Sequence, residues 1–187
     1  MLLIGVITIA TVLLFSCDTA LSKTEQVNKD AANALYTLTE RCTLYNCPNN
    51  WPPRSAGVTS CYIYFHQSKE WSDAEKSCRD NGGQLVKFDT LGEITTVKNF
   101  LQSYYGISSM PWMWTGLNDR SSEGRYQWTG FGGELSKGSS MWSGGQPDNH
   151  SPWWSFWDDE DCVEFNGRQL NDQDCDEGRP YVCEFIP

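Results

Sequence analysis

Nine oxygen-bearing side chains gather in or beside one irregular stretch of this 187-residue chain: Asp119, Glu123, Gln146, Asp148, Asn149, Glu160, Asp161, Asn171 and Asp172. Residues 118–160 are rich in Gly, Ser, Asn, Asp and Trp and show no sustained periodicity. A stretch of that length inside a compact domain is functional or disordered, and its tryptophans argue against disorder. Without regular hydrogen bonding it needs another source of order. Calcium fits, because it takes roughly 6–8 oxygen ligands in flexible geometry from carboxylates, amides and main-chain carbonyls. The amides add something a carboxylate lacks: one can coordinate a cation through oxygen and still donate from nitrogen.

Rival chemistries fit less well. Asp172-x-Asp174-x-Asp176 matches the first ligands of an EF-hand, but Glu177 stands where that loop needs glycine and Cys183 where it needs glutamate. Zinc is disfavoured, since no CxxC pair occurs and His66 and His150 lie far from paired cysteines. No GxSxG, HExxH or phosphate loop is present, so no catalytic set is expected and the chain reads as a non-enzyme.

The elements that must position these ligands lie on either side of the irregular stretch. CYIYFH (61–66) is a β-prone run. Ser72-Asp73-Ala74-Glu75 reads as a capping box opening a helix with Trp71, Ala74 and Cys78 on one face, ended by Asn81-Gly82-Gly83. A second box, Thr90-Leu91-Gly92-Glu93, opens a helix with Ile94, Val97, Leu101 and Tyr104 in the apolar stripe. WMWTGL (112–117) reads as a buried strand, and CVEF (162–165) and YVCEF (181–185) as short strands closing an α+β domain.

Before this domain the chain changes character. MLLIGVITIATVLLF is an apolar run of 15 residues, short for a membrane span and suited to a secretory signal, with cleavage expected after Ser22. No later stretch is apolar enough to span a bilayer, so a secreted, extracellular product is expected. Residues 23–46 carry a short helical stripe and Cys42. Of eight cysteines, Cys17 leaves with the signal, and the other seven suggest three bridges and one spare thiol. Cys42 would then link a disulfide-bonded homodimer. The net charge of −10 repels nucleic acid and anionic membrane and attracts divalent cations.

The spacing of Cys78, Cys162, Cys175 and Cys183, with WTGL at 114–117, QPD at 146–148, EDC at 160–162 and LNDQDC at 170–175, resembles the C-type lectin domain over residues 47–187. The pair Cys47 and Cys61 matches the family's long form. The resemblance implies the C-type lectin fold, with bridges Cys47–Cys61, Cys78–Cys183 and Cys162–Cys175. It implies a primary calcium held by Gln146, Asp148, Glu160, Asn171 and Asp172, with Pro147 cis. An auxiliary calcium would be held by Asp119, Glu123, Asn149 and Asp161, with Glu160 shared. Two adjacent sugar hydroxyls would enter the primary calcium shell, donating to carboxylates and accepting from amide NH₂ groups of Gln146, Asp148, Glu160 and Asn171.

In that family the order Gln-Pro-Asp goes with galactose-type sugars. A Trp commonly follows two residues after the Asp; here His150 stands there. The stretch QPDNHSPWWSFWDDEDC (146–162) offers Trp153 or Trp154 as the aromatic platform instead. The expected function is therefore a secreted, calcium-dependent lectin for terminal galactose or N-acetylgalactosamine, recognising glycans in innate immunity. The alternative is a domain of the same fold that binds a protein or a calcium mineral surface. If sugar binds through calcium, protonating Asp148, Glu160 or Asp172 below roughly pH 5 should release both.

Overall fold

The computed structural model describes residues 47–48, 51–52, 59–150 and 159–187. The signal and helical segments expected over residues 1–46, Cys42, and Trp153, Trp154 and Trp157 lie outside the described residues. The chain divides into two units, Met1–Asn46 and Cys47–Pro187, and every described residue belongs to the second. Its elements run β1 (Cys61–Lys69), α1 (Trp71–Asp80), β2 (Gln84–Leu85), α2 (Leu91–Tyr105), β3 (Met113–Asn118), β4 (Gln127–Trp128), β5 (Cys162–Phe165), β6 (Leu170–Gln173) and β7 (Arg179–Phe185).

The helices start for different reasons. At α2, Thr90 is the N-cap and its hydroxyl accepts the Glu93 N–H at 3.3 Å, while the Glu93 carboxylate accepts the Asp89 N–H at 2.5 Å. At α1 the expected Ser72 cap does not form: the helix begins two residues earlier than that cap would set it, at Trp71, and the N-cap Glu70 makes no side-chain bond. Tertiary anchors replace the local cap. The Trp71 amide donates to the Cys175 carbonyl at 2.9 Å, and its indole N–H to the Thr115 carbonyl at 2.8 Å.

One sheet runs β1-β7-β3-β5-β6, with β2 added on β7 and β4 on β3. Neighbours are antiparallel except β3 and β7, which meet in parallel at Trp114 and Tyr181. Strand alternation divides the core into two clusters. Met113, Leu117 and Val182 pack with Ile94, Val97, Phe100 and Leu101 of α2. Trp114, Tyr181 and Cys183 pack with Trp71, Ala74 and Cys78 of α1. The apolar stripe of α2 ends differently from its sequence spacing. Tyr104 is 53% exposed. Tyr105 turns inward instead, and its hydroxyl accepts the Tyr64 N–H at 3.1 Å.

Disulfides Cys47–Cys61, Cys78–Cys183 and Cys162–Cys175 staple these layers. Cys78–Cys183 spans 105 residues and ties α1 to β7. Closing a loop of that length contributes about 4–5 kcal/mol in the chain-entropy model. Two-helix, sheet and disulfide architecture together make the α+β fold expected of the sequence.

The irregular stretch after β3 is ordered by side chains as well as turns. Tyr126, Trp128, Met141 and Trp142 are buried in the α2-side cluster. Trp142 donates its indole N–H to the Ser136 carbonyl at 3.0 Å, and the Ser143 N–H reaches the Leu170 carbonyl at 2.8 Å. The Ser143 bond pins the loop to the start of β6, and the Asp148 N–H reaches Asp172 Oδ1 at 3.2 Å, toward the end of the ribbon where β5 begins.

Candidate functional site

Sheet register assembles two acidic groups from distant parts of the chain. β3 and β5 pair at Asn118 and Cys162, which sets Asp119 beside Asp161; the Asp119 N–H donates to the Asp161 carbonyl at 3.0 Å. β5 and β6 pair Val163 with Asp172, and the loop carrying Asp148 closes over that end. One ligand oxygen from each of Asp148, Glu160 and Asp172 falls within 4.8 Å of the others, and so do oxygens of Asp119, Glu123 and Asp161.

Asp172 organises the first group. It is fully buried, and its carboxylate accepts the Tyr126 hydroxyl at 3.0 Å, the Asp148 N–H at 3.2 Å and the Asn149 N–H at 2.8 Å. Glu160 accepts the His150 N–H at 3.0 Å. Burial raises the Glu160 carboxyl from 4.5 to about 7, and the charges of Asp172 and Asp148 add to the rise. The Gln146–Pro147 peptide is cis, and Gln146 Oε1 accepts the Asp148 N–H at 2.9 Å.

In the second group Asp119 is 1% exposed. Its Oδ2 accepts the Gly124 N–H at 2.8 Å, but its buried Oδ1 has no partner among the described residues. Burial raises its carboxyl from 3.8 to about 6, and Glu123 and Asp161 push it the same way. Burial raises Asp161 as well, with Asp159 adding and Arg120 opposing. A buried carboxylate oxygen without a donor is costly, and three acids at this separation repel one another. A hard divalent cation would remove both costs, so the donor set suits calcium.

Asn149 joins the two groups. Its φ of 46° lies in the left-handed region that Asn tolerates better than most side chains. Its amide donates to Glu123 at 3.0 Å and its Oδ1 accepts the Glu160 N–H at 2.9 Å. Asn171 behaves differently from the other ligands expected at the primary site. Register places it opposite Glu164, on the other face of the β5–β6 ribbon from Asp172. Its Nδ2 donates to Glu164 at 3.1 Å and to the Asp172 carbonyl at 2.7 Å.

Three residues in this neighbourhood carried no signal in the sequence. Glu164 is 2% exposed and pairs with Arg179 at 2.6 Å, which in turn lies 5.9 Å from the Trp114 ring centre. Burial raises the Glu164 carboxyl, while Arg179 and Asn171 hold it down. Tyr126 supports Asp172 from below. Neither a lone Tyr in an irregular stretch nor an acid inside CVEF announces such a role.

The Lectin C-type domain family model matches residues 67–185. This chain belongs to the C-type lectin domain family. It is 31% identical over 138 residues to C-type lectin domain family 4 member M of Hylobates lar, covering 74% of this chain and 31% of that protein. The chain thus spans about a third of that curated relative. Among solved structures, C-type lectin CEL-I from Cucumaria echinata is 29% identical with a TM-score of 0.60, covering 75% of this chain and 99% of that one. The human scavenger receptor C-type lectin carbohydrate-recognition domain is 25% identical with a TM-score of 0.61, covering 76% and 100% respectively. Among the described residues, no helix is long and apolar enough to cross a membrane.

Proposed function

We propose that this chain is a secreted, calcium-dependent lectin that binds terminal galactose or N-acetylgalactosamine, in a glycan-recognition role within innate immunity. The observation that carries the reading is the convergence of Asp148, Glu160 and Asp172 within 4.8 Å, directly beside Gln146–Pro147. Gln146, Asp148, Glu160 and Asp172 would hold the primary ion, and Asn171, whose amide faces Glu164, would join them only by turning away from that carboxylate. Asp119, Glu123, Asn149 and Asp161 would hold the auxiliary one. Bound calcium would supply coordination positions for two neighbouring sugar hydroxyls.

The chain's own residues set the specificity. Asp148 and Glu160 accept hydrogen bonds from those hydroxyls, and the amide of Gln146 donates to them. The acid on the C-terminal flank of Pro147 fixes the order of acceptor and donor along the sugar edge, which is the galactose-type order. His150 and Trp153 or Trp154 are the candidates for packing against the apolar face of the sugar. Contacts through one ion are shallow, so avidity from a Cys42-linked dimer would raise the effective affinity.

A glycan array probed with the full-length protein, with calcium and with EDTA, tests the reading. Calcium-dependent binding to terminal galactose or N-acetylgalactosamine is expected. Calcium-dependent binding to mannose or fucose would keep the ion and overturn the order argument. Binding to neither would favour a protein or mineral ligand instead.

A further inference from the structure

We propose that a second ligand site, for a sulfate or phosphate group carried on a small molecule or sugar, lies in the cleft between α2 and the β5–β6 turn. The cleft has a volume of about 330 Å³ and is lined by Lys98 and Gln102 of α2, Ser108 and Ser109 beyond it, and Asn166 and Arg168 of the turn. No carboxylate lines it, in a chain whose net charge is −10. Neither Lys98 nor Arg168 takes part in any ion pair among the described residues. Two cations from separate elements therefore face one cavity without a counter-charge.

The other polar groups match an oxyanion. Asn166 Oδ1 accepts the N–H groups of Arg168 at 3.1 Å and Gln169 at 3.2 Å, which leaves its Nδ2 as a donor. The hydroxyls of Ser108 and Ser109 and the Gln102 amide add donors of the kind that satisfy the oxygens of a tetrahedral anion. Arg presents a planar fork suited to two such oxygens at once, and Lys adds a point charge.

Close packing holds the two walls together. Gly167 has φ +78°, and a Cβ there would lie 3.0 Å from Met110 Cγ and 3.2 Å from Lys98 Cγ. The turn thus lies against the aliphatic stem of Lys98, which restricts that side chain before any ligand arrives. Such restriction lowers the ordering cost of binding. This turn closes the end of the β5–β6 ribbon opposite to Glu160 and Asp161, so the cleft is separate from both acidic groups. Because the overall field opposes anions, affinity must come from short-range charged hydrogen bonds rather than steering.

The test is an amide NMR titration of the full-length protein in EDTA at constant ionic strength set with sodium chloride. Separate arms use galactose 6-sulfate, galactose, inorganic sulfate, inorganic phosphate and acetate. Saturable shifts at Ser108, Ser109 and Arg168 are expected with the sulfate and phosphate titrants, and none with galactose. If galactose 6-sulfate alone shifts them, the site reads the group with its carrier. If the free ions do so equally, the anion itself is the recognised unit. The K98Q/R168Q variant, checked for a dispersed spectrum, should weaken binding at least about tenfold. Shifts no larger than those from chloride, equal shifts with acetate, or unchanged affinity in the variant would each overturn the proposal. Persistence in EDTA separates this site from the calcium-dependent one, so either can fail alone.

Discussion

The Tyr126 hydroxyl donates to Asp172 Oδ2 at 3.0 Å, from a position almost as buried as the carboxylate it serves. Burial, with the charges of Asp172 and Asp119, pushes the phenol far above its ordinary range, so it remains a donor at any working pH. Its ring also meets Trp142 edge-on at 4.8 Å. Tyr126 therefore links the packed loop to the acid at the centre of the site. Tyr126→Phe keeps the ring and removes the donor. Hydrogen bonds to charged groups contribute about 1.5–3 kcal/mol, so a destabilisation of that size is expected in denaturant unfolding of the calcium-free protein. Calcium affinity by calorimetry should fall as well. Unchanged stability and affinity would show that Asp172 needs no support from beneath.

Asp119 predicts an opposite sign. Its buried Oδ1 lacks a partner among the described residues, and its ionised form is penalised by burial. Asp119→Asn removes the charge at constant shape. The calcium-free melting temperature is expected to rise, while the increase produced by calcium shrinks. Thermal melts with calcium and with EDTA read both quantities together. A variant that melts lower without calcium and gains the full increment with it would mean that Asp119 is a structural acid, not a metal ligand.

The same two carboxyls set a pH dependence. Glu160 rises from 4.5 to about 7 and Asp119 from 3.8 to about 6, so between these limits the folded, calcium-free protein binds more protons than the unfolded chain. Stability without calcium should therefore fall as pH rises from about 4.5 to 7, because the unfolded state ionises more easily. Calcium binds the ionised form and should reverse the slope. Melting temperatures across that range, with and without calcium, are expected to converge near pH 5 and separate near pH 7.5. This places the loss of calcium higher than the range expected from ordinary carboxylates. Parallel curves would argue that calcium binds elsewhere.

Much of the frame was legible because it rests on local rules. The α2 cap follows from Thr90 and Glu93, and β5 and β7 follow from short apolar, β-prone runs. Where tertiary contacts decide, the sequence was silent. Trp71 starts α1 through bonds to Cys175 and Thr115, which lie 104 and 44 residues away, so a search for a cap nearby finds Ser72 instead. β6 is nearly polar, LNDQ, and becomes a strand by pairing with β5 while burying Asp172. Its side chains read as metal ligands, and their strand register could not be read with them. That register is what turns Asn171 toward Glu164. The Glu160 and Asp172 convergence was visible only as motif order; the Tyr126 and Arg179 supports were not visible at all.

The flanks of Pro147 offer the sharpest test of specificity. Gln146 and Asp148 flank Pro147, whose peptide bond to Gln146 is cis, and in the proposed lectin site one would offer an amide and the other an acid to the same sugar edge. Exchanging them in Q146E/D148N conserves the number of oxygens and the net charge of the pair, so calcium binding should survive. Only the order of donor and acceptor reverses. Binding in the presence of calcium is then expected to move from galactose-type toward mannose-type monosaccharides, read as a reversal of the inhibition ranking on an immobilised glycan. A discrimination factor of about tenfold or more corresponds to roughly 1.4 kcal/mol, within reach of one reversed hydrogen-bond pair. An unchanged ranking with calcium still bound would transfer the choice of sugar from these two residues to the loop that follows His150.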